Sequence, residues 1–190
     1  MMRFSFPVVF AMMFLRSAHG WNPSSYPFLP ASTDTSRVRE LVVRAQGSNK
    51  KILDIGCGQG YSTAVSPGSV GVDSERTNIK AAKRMFPQKK FRQETVLSLK
   101  PDETFDVVTC MFYFHKVPRF LRKQIISKAI RMAKERVVVV DVSPDYLAGP
   151  EMFKQSTFLP DYFETCRHDL LDFTESTLVD GMLSIWVYDV

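Results

Sequence analysis

Residues 52–61 read ILDIGCGQGY. An apolar, strand-like run ends at Ile55, and glycines follow at Gly56, Gly58 and Gly60. Glycine accepts positive φ and lets a ligand approach the backbone closely. Amides exposed at such a turn bind polar ligand atoms. The spacing is GxGxG, which differs from the GxGxxG of a dinucleotide pyrophosphate loop. Asp54 stands just before the glycines. Its carboxylate would repel a pyrophosphate and suits a ligand that carries positive charge.

Outward from this turn, the pattern alternates strands and helices. Asp34 or Thr35 can cap a helix that places Val38, Leu41, Val42 and Ala45 on one face and stops at Gly47. Short apolar runs at 50–55 and 70–73, a weak one at 90–93 and strong ones at 105–111 and 136–142 read as strands. Helices are expected at 74–86, ended by Pro87, and at 118–134, with Pro118 in the first turn. Alternating units of this kind imply an α/β fold with a doubly wound, mostly parallel sheet. The tail breaks the rhythm. Residues 171–179 and 182–189 flank Asp180-Gly181, a strong two-residue turn signal, and predict a C-terminal antiparallel hairpin.

Asp73 ends the second strand about twenty residues after the glycine turn begins. An acid there is placed to accept hydrogen bonds from ribose hydroxyls, while Ser74 can cap the helix that follows. With these residues in view, ILDIGCGQG, GVDSE, FDVVTCMFYFHKVP and RVVVVDVSP, in this order, resemble the class I S-adenosylmethionine-dependent methyltransferases. The resemblance runs over roughly residues 38–190 and implies their Rossmann-like fold. It also implies S-adenosyl-L-methionine as cofactor. Asp54, Gly56, Gly58 and Gly60 would surround its methionine part, Asp73 with Ser74 its ribose, and Cys110 with Met111 would lie beside it. Two departures stand out. The 61–72 stretch, YSTAVSPGSVGV, is interrupted by Pro67-Gly68, so the first crossover helix should be stunted. The acid expected at adenine after the third strand is not obvious in FRQETVLSL, and Glu94 or Thr95 must take that place.

On the acceptor side, Tyr113 and His115 follow the fourth strand and are the candidate catalytic residues. Histidine as a residue type titrates near neutrality and serves as a general base; His115 could equally hold a loop before Pro118. Tyr113 could position an acceptor or pack. Asp141 could orient a nucleophile or cap the chain turn, and Pro144, Tyr146 and residues 152–158 could wall a pocket. Methyl transfer from a sulfonium needs alignment more than a triad, so the absence of a conspicuous triad is compatible with it. No residue set suggests a metal. A small-molecule acceptor is favoured, with RNA or protein left open by the basic runs at 80–92 and 119–136. The alternatives are a non-catalytic protein that keeps the fold and a nicotinamide-dependent oxidoreductase, which the GxGxG spacing disfavours.

The 190 residues allow one domain with a sizeable core, taken as 35–190. The composition, 45% hydrophobic and 24% charged, is that of a folded soluble chain, and the net charge of +5 is modest. Three cysteines, at 57, 110 and 166, form no paired framework and suit a reducing compartment. Yet Arg3, an apolar run over 4–15 and small residues at Ala18 and Gly20 read as a signal peptide ending before Trp21. The run is too short to span a bilayer. Residues 21–34 form a Pro/Ser-rich linker or transit segment, WNPSSYPFLPASTD. The pair resembles a bipartite leader of complex plastids. Entry to the secretory route is the expectation, with plastid import as its extension.

Overall fold

The computed structural model describes residues 34–100 and 102–190. The leader at 1–20 and the linker up to residue 33 lie outside the described residues. The first element is helix α1 (Thr35–Ala45). Asp34 caps it, accepting from the amides of Ser36 at 3.0 Å and Arg37 at 3.2 Å, which satisfies two of the donors that a helix start leaves without partners. Strand β1 (Ile52–Ile55), β2 (Val70–Asp73), helix α2 (Arg76–Met85) and β3 (Phe91–Gln93) follow. Then come β4 (Phe105–Met111), helix α3 (Arg119–Met132) and β5 (Ala133–Val142). Helices α4 (Pro150–Gln155) and α5 (Leu159–Asp169) lead to β6 (Thr174–Val179) and β7 (Leu183–Asp189).

The seven strands form one sheet in the order β3-β2-β1-β4-β5-β7-β6. β1 to β5 pair in parallel, and β7 runs antiparallel to both β5 and β6. The Rossmann-like, mostly parallel sheet and the terminal hairpin are therefore both present. The hairpin turn is closed by the Met182 amide donating to the Val179 carbonyl at 3.0 Å, with Gly181 at φ 61°.

Strand alternation splits the core. Leu53, Ile55, Val108, Cys110, Val137 and Val139 meet α3 and α5 through Ile125, Ala129, Leu159 and Tyr162. Ile52, Val107, Met111, Val138 and Val140 meet α1 through Val38 and Val42. The middle strands are buried on both faces, as parallel strands covered by helices require.

Three boundaries differ from expectation. β5 begins at Ala133, directly after α3 ends at Met132; the helical pattern cannot register that pairing of Ala133 with Phe105 takes the next residues into the sheet. The hairpin's first arm starts at Thr174, because residues 171–173 finish the turn after α5. Residues 152–158, expected only as a pocket wall, run through α4 to the cap of α5, with Met152 in the core. The first crossover helix, expected to be stunted, is replaced by turns, and no helix occurs between β1 and β2.

Candidate cofactor and acceptor site

The carboxyl ends of β1, β2 and β4 meet at a cavity of about 150 Å³. Ile55, Gly56, Asp73, Ser74, Glu94, Thr95 and Tyr113 line it, and Val72, Val96, Leu97, Leu121 and Ile125 complete an apolar wall. The structure thus gathers Gly56, Asp73, Ser74, Glu94, Thr95 and Tyr113 from the sequence candidates. Cys110 and Met111 are not among its lining; they are 1% and 0% exposed, one in each half of the core. Burial pushes the Cys110 thiol well above its ordinary range, so it remains protonated.

Gly56 and Gly58 have φ of 66° and 54°. A side chain on Gly58 would point into open space, whereas one on Gly56 would come within 2.7 Å of the Tyr113 ring. The turn is tied to the next strand by the Gly58 amide, which donates to Asp73 Oδ2 at 2.9 Å. Asp73 Oδ1 accepts from the Glu75 amide at 2.8 Å and from Asn78 at 3.3 Å. A carboxylate offers about four acceptor positions, so Asp73 keeps one for a ligand hydroxyl unless it releases a bond to the loop. Glu94 pairs with Arg92 at 3.1 Å. Thr95 caps a short 3₁₀ turn through the Ser98 amide at 3.3 Å.

Asp54 has a different place from the one expected of it. It is 0% exposed, on the α1 side of the sheet, and accepts from Ser62 at 2.8 Å, Thr63 at 2.7 Å and Thr109 at 3.3 Å. Burial pushes its pKa up from the ordinary 3.8 against those hydrogen bonds and the nearby charge of Arg39. Asp54 therefore anchors the helix-free segment that follows the glycines. Arg39 of α1 closes the same junction, donating to Ser62 Oγ at 3.3 Å and to the Met111 carbonyl at 3.1 Å. Its guanidinium lies 4.6 Å from the centre of the Phe112 ring. Phe112 has φ 56°, a region that costs a non-glycine residue on the order of 1–3 kcal/mol.

His115 and Asp141 form a buried pair, each side chain 1% exposed, with Nδ1 to Oδ1 at 2.5 Å. Burial alone would raise the Asp141 pKa. The charge and hydrogen bond of His115, with the amides of Val142 and His115, outweigh it and hold Asp141 below 3.8. Asp141 Oδ2 also accepts from the Phe114 amide at 2.8 Å. Asp141 thus caps the turn, as one of its two expected roles had it, and also holds the imidazole. Tyr162 packs edge-on to the His115 ring, with centroids 6.3 Å apart.

Sequence reasoning missed Arg122. It is 0% exposed and joins α3 to α5 through Asp169 at 3.0 Å, Asp161 at 3.0 Å and Thr165 at 2.6 Å. It also donates to the carbonyls of Phe114 and Val117, each at 3.4 Å, so it braces the turn that carries His115. Within a run of basic residues, nothing in the sequence marks one arginine as the buried one.

A Rossmann-like sheet with a reversed last strand, a glycine turn and an acid at the next strand end define the class I methyltransferase fold. Residues 52–136, under half of the chain, match the family described as a methyltransferase domain. The putative methyltransferase 235L of Invertebrate iridescent virus 6 is 33% identical over 98 residues, covering 48% of this chain and 37% of that protein. The trans-aconitate 2-methyltransferase of Rhodopseudomonas palustris (strain BisB5) is 30% identical over 102 residues, covering 49% of this chain and 40% of that protein. The chain thus spans under half the length of these curated relatives. Among solved structures, magnesium protoporphyrin IX methyltransferase from Synechocystis PCC 6803, with bound SAH, superposes with a TM-score of 0.62 at 15% identity, covering 95% of this chain and 93% of that one. The plantazolicin methyltransferase BpumL, also with SAH, gives 0.59 at 16% identity, covering 82% and 85%. These likenesses establish the fold.

Proposed function

We propose that this chain is an S-adenosylmethionine-dependent methyltransferase acting on a small acceptor. The observation that carries this is the cavity at the ends of β1, β2 and β4, which sets an apolar slot beside a carboxylate and a glycine turn. The apolar wall of Val72, Val96, Leu97, Leu121 and Ile125 suits the faces of an adenine. Asp73 at the rim suits a ribose hydroxyl, and Glu94 the exocyclic amine. The turn at Gly58, where a Cβ would meet nothing, offers its backbone to a polar chain. When bound, the cofactor supplies a methyl group already activated on a sulfonium. The tasks left to the protein are alignment and proton handling. Asp141 holds the His115 ring, and His115 is the candidate for proton handling, although it is 1% exposed and does not line the cavity. Support for a small acceptor comes from trans-aconitate, magnesium protoporphyrin IX and plantazolicin in the names of similar proteins.

Titration calorimetry with S-adenosylhomocysteine tests the site. Asp73→Ala is expected to weaken binding by about 1–3 kcal/mol, the scale of a charge-assisted hydrogen bond. Gly58→Val should abolish it, since a β-branched residue is strained at φ 54° and fills the open face of the turn. Equal affinity in wild type and both variants removes the site. A non-catalytic role is favoured by one observation, the engagement of Asp73 by the loop. Product formation in a screen of small acids, peptides and RNA with labelled cofactor separates the two.

The leader supports a second proposal, entry into the secretory route with onward import to a complex plastid. A fluorescent fusion of residues 1–37, expressed in an alga with such plastids, should label the plastid and lose that location on Trp21→Ala. Secretion of both fusions rules out import.

A further inference from the structure

We propose that Tyr113 is the gate of the cofactor cleft, seated in the structure in its closed position. The inference rests on the cofactor reading above. The Tyr113 ring lies close over Gly56: a Cβ there would be 2.7 and 2.8 Å from two ring carbons and 3.2 Å from a third. Gly56 and Tyr113 both line the cavity. Its volume is about 150 Å³, well below the roughly 300 Å³ at the lower end of small-molecule sites. An adenosine carrying an amino-acid arm does not fit there as a whole.

The glycine turn is a chemically suitable exit for the arm. Val96, Leu97, Leu121 and Ile125 form the apolar side, which offers nothing to an ammonium or a carboxylate. The glycine turn offers backbone polar groups, and the open face of Gly58 lies just beyond Gly56. The route between them passes over Gly56, where the ring sits. Tyr113 must therefore swing away before the whole cofactor can enter.

Two features suit it to that movement. Tyr113 directly follows Phe112, whose backbone is held at φ 56°, so a change at this junction can relieve strain as the ring departs. And Tyr113 is half-buried, unlike its neighbours Phe112 and Phe114, which are 2% and 1% exposed. The flanking rings are fixed in the core while Tyr113 lies at the surface of the cleft. Its phenol is pushed up to about 12, chiefly by burial, so no charge change accompanies the swing at neutral pH.

A closed majority state lowers apparent affinity in proportion to the open fraction. With open states commonly at about 0.1–10%, removing the ring should tighten binding by about tenfold or more. S-adenosylhomocysteine binding is measured by calorimetry and stopped flow on the full chain and on Tyr113→Ala, Tyr113→Val and Tyr113→Phe, with circular dichroism to confirm folding. The Ala and Val variants should bind more tightly, with association rates linear in ligand. The wild type and Tyr113→Phe should behave alike, with rates that reach a plateau set by opening. Weaker binding in both ring-free variants overturns the gate and makes Tyr113 a stacking partner of the cofactor, leaving the methyltransferase reading in place. Absence of binding in all four folded proteins overturns the gate together with the cofactor site.

Discussion

Asp169→Ala is expected to lower the unfolding free energy by about 3–5 kcal/mol, the scale of breaking a buried ion pair by removing one member. Both side chains of the Arg122–Asp169 pair are 0% exposed. Asp169 also receives Arg119 Nε at 2.9 Å. Without it, the Arg122 guanidinium stays buried with the partly exposed Asp161 as its sole remaining carboxylate. Domains of this kind hold about 5–15 kcal/mol in total, so the variant should lose a large share of its margin. Urea denaturation of the full chain measures this, through a lowered midpoint at unchanged slope. Asp169→Asn keeps the shape and one acceptor, and should recover part of the loss. A midpoint within error of wild type in the alanine variant would show that the cluster contributes nothing net.

His115→Ala should reduce turnover by about 10²–10⁴-fold, the usual worth of a general base, while S-adenosylhomocysteine affinity is retained. The basis is the buried pair with Asp141, which fixes the ring and its tautomer. The same substitution leaves the Asp141 carboxylate buried with only amide donors, so stability will fall as well. Rates are therefore taken on the folded fraction, with an acceptor found in the labelled screen. His115→Gln, which can still hydrogen-bond to Asp141, separates the effects: it should recover stability without recovering the rate. An unchanged rate per folded molecule assigns His115 wholly to holding the turn.

The sheet was legible because its signals are local. β-branched runs, helix stops at Gly47 and Pro87, and Asp180-Gly181 each act within a few residues. The glycine turn and Asp73 were legible for the same reason, since backbone geometry demands them. Asp54 shows where such reading ends. Its position before the glycines suggested a ligand contact, but strand alternation turns it to the α1 face, where Ser62 and Thr63 meet it. Two hydroxyls in an irregular stretch carry no pattern of their own. The bonds of Arg39 to Met111, Arg122 to Asp169 and His115 to Asp141 were hidden because each spans more than twenty residues of sequence. Tyr113 was visible as a candidate, while its seat on Gly56 depends on a three-dimensional approach between two loops.

The reversed last strand has a consequence for how the chain is made. β5, whose end reads VVVVDV, finds its outer neighbour in β7 rather than in the next segment. About 40 residues separate Val142 from Leu183, and at roughly 5–20 residues per second the ribosome needs roughly 2–8 s to deliver them. For that interval a strand with four consecutive valines presents an open edge. Hairpin folding takes microseconds, so the wait is set by synthesis and not by folding. Nascent-chain chaperones therefore have their clearest target on this protein in β5, between the emergence of its valines and the arrival of Trp186 and Ile185 opposite them.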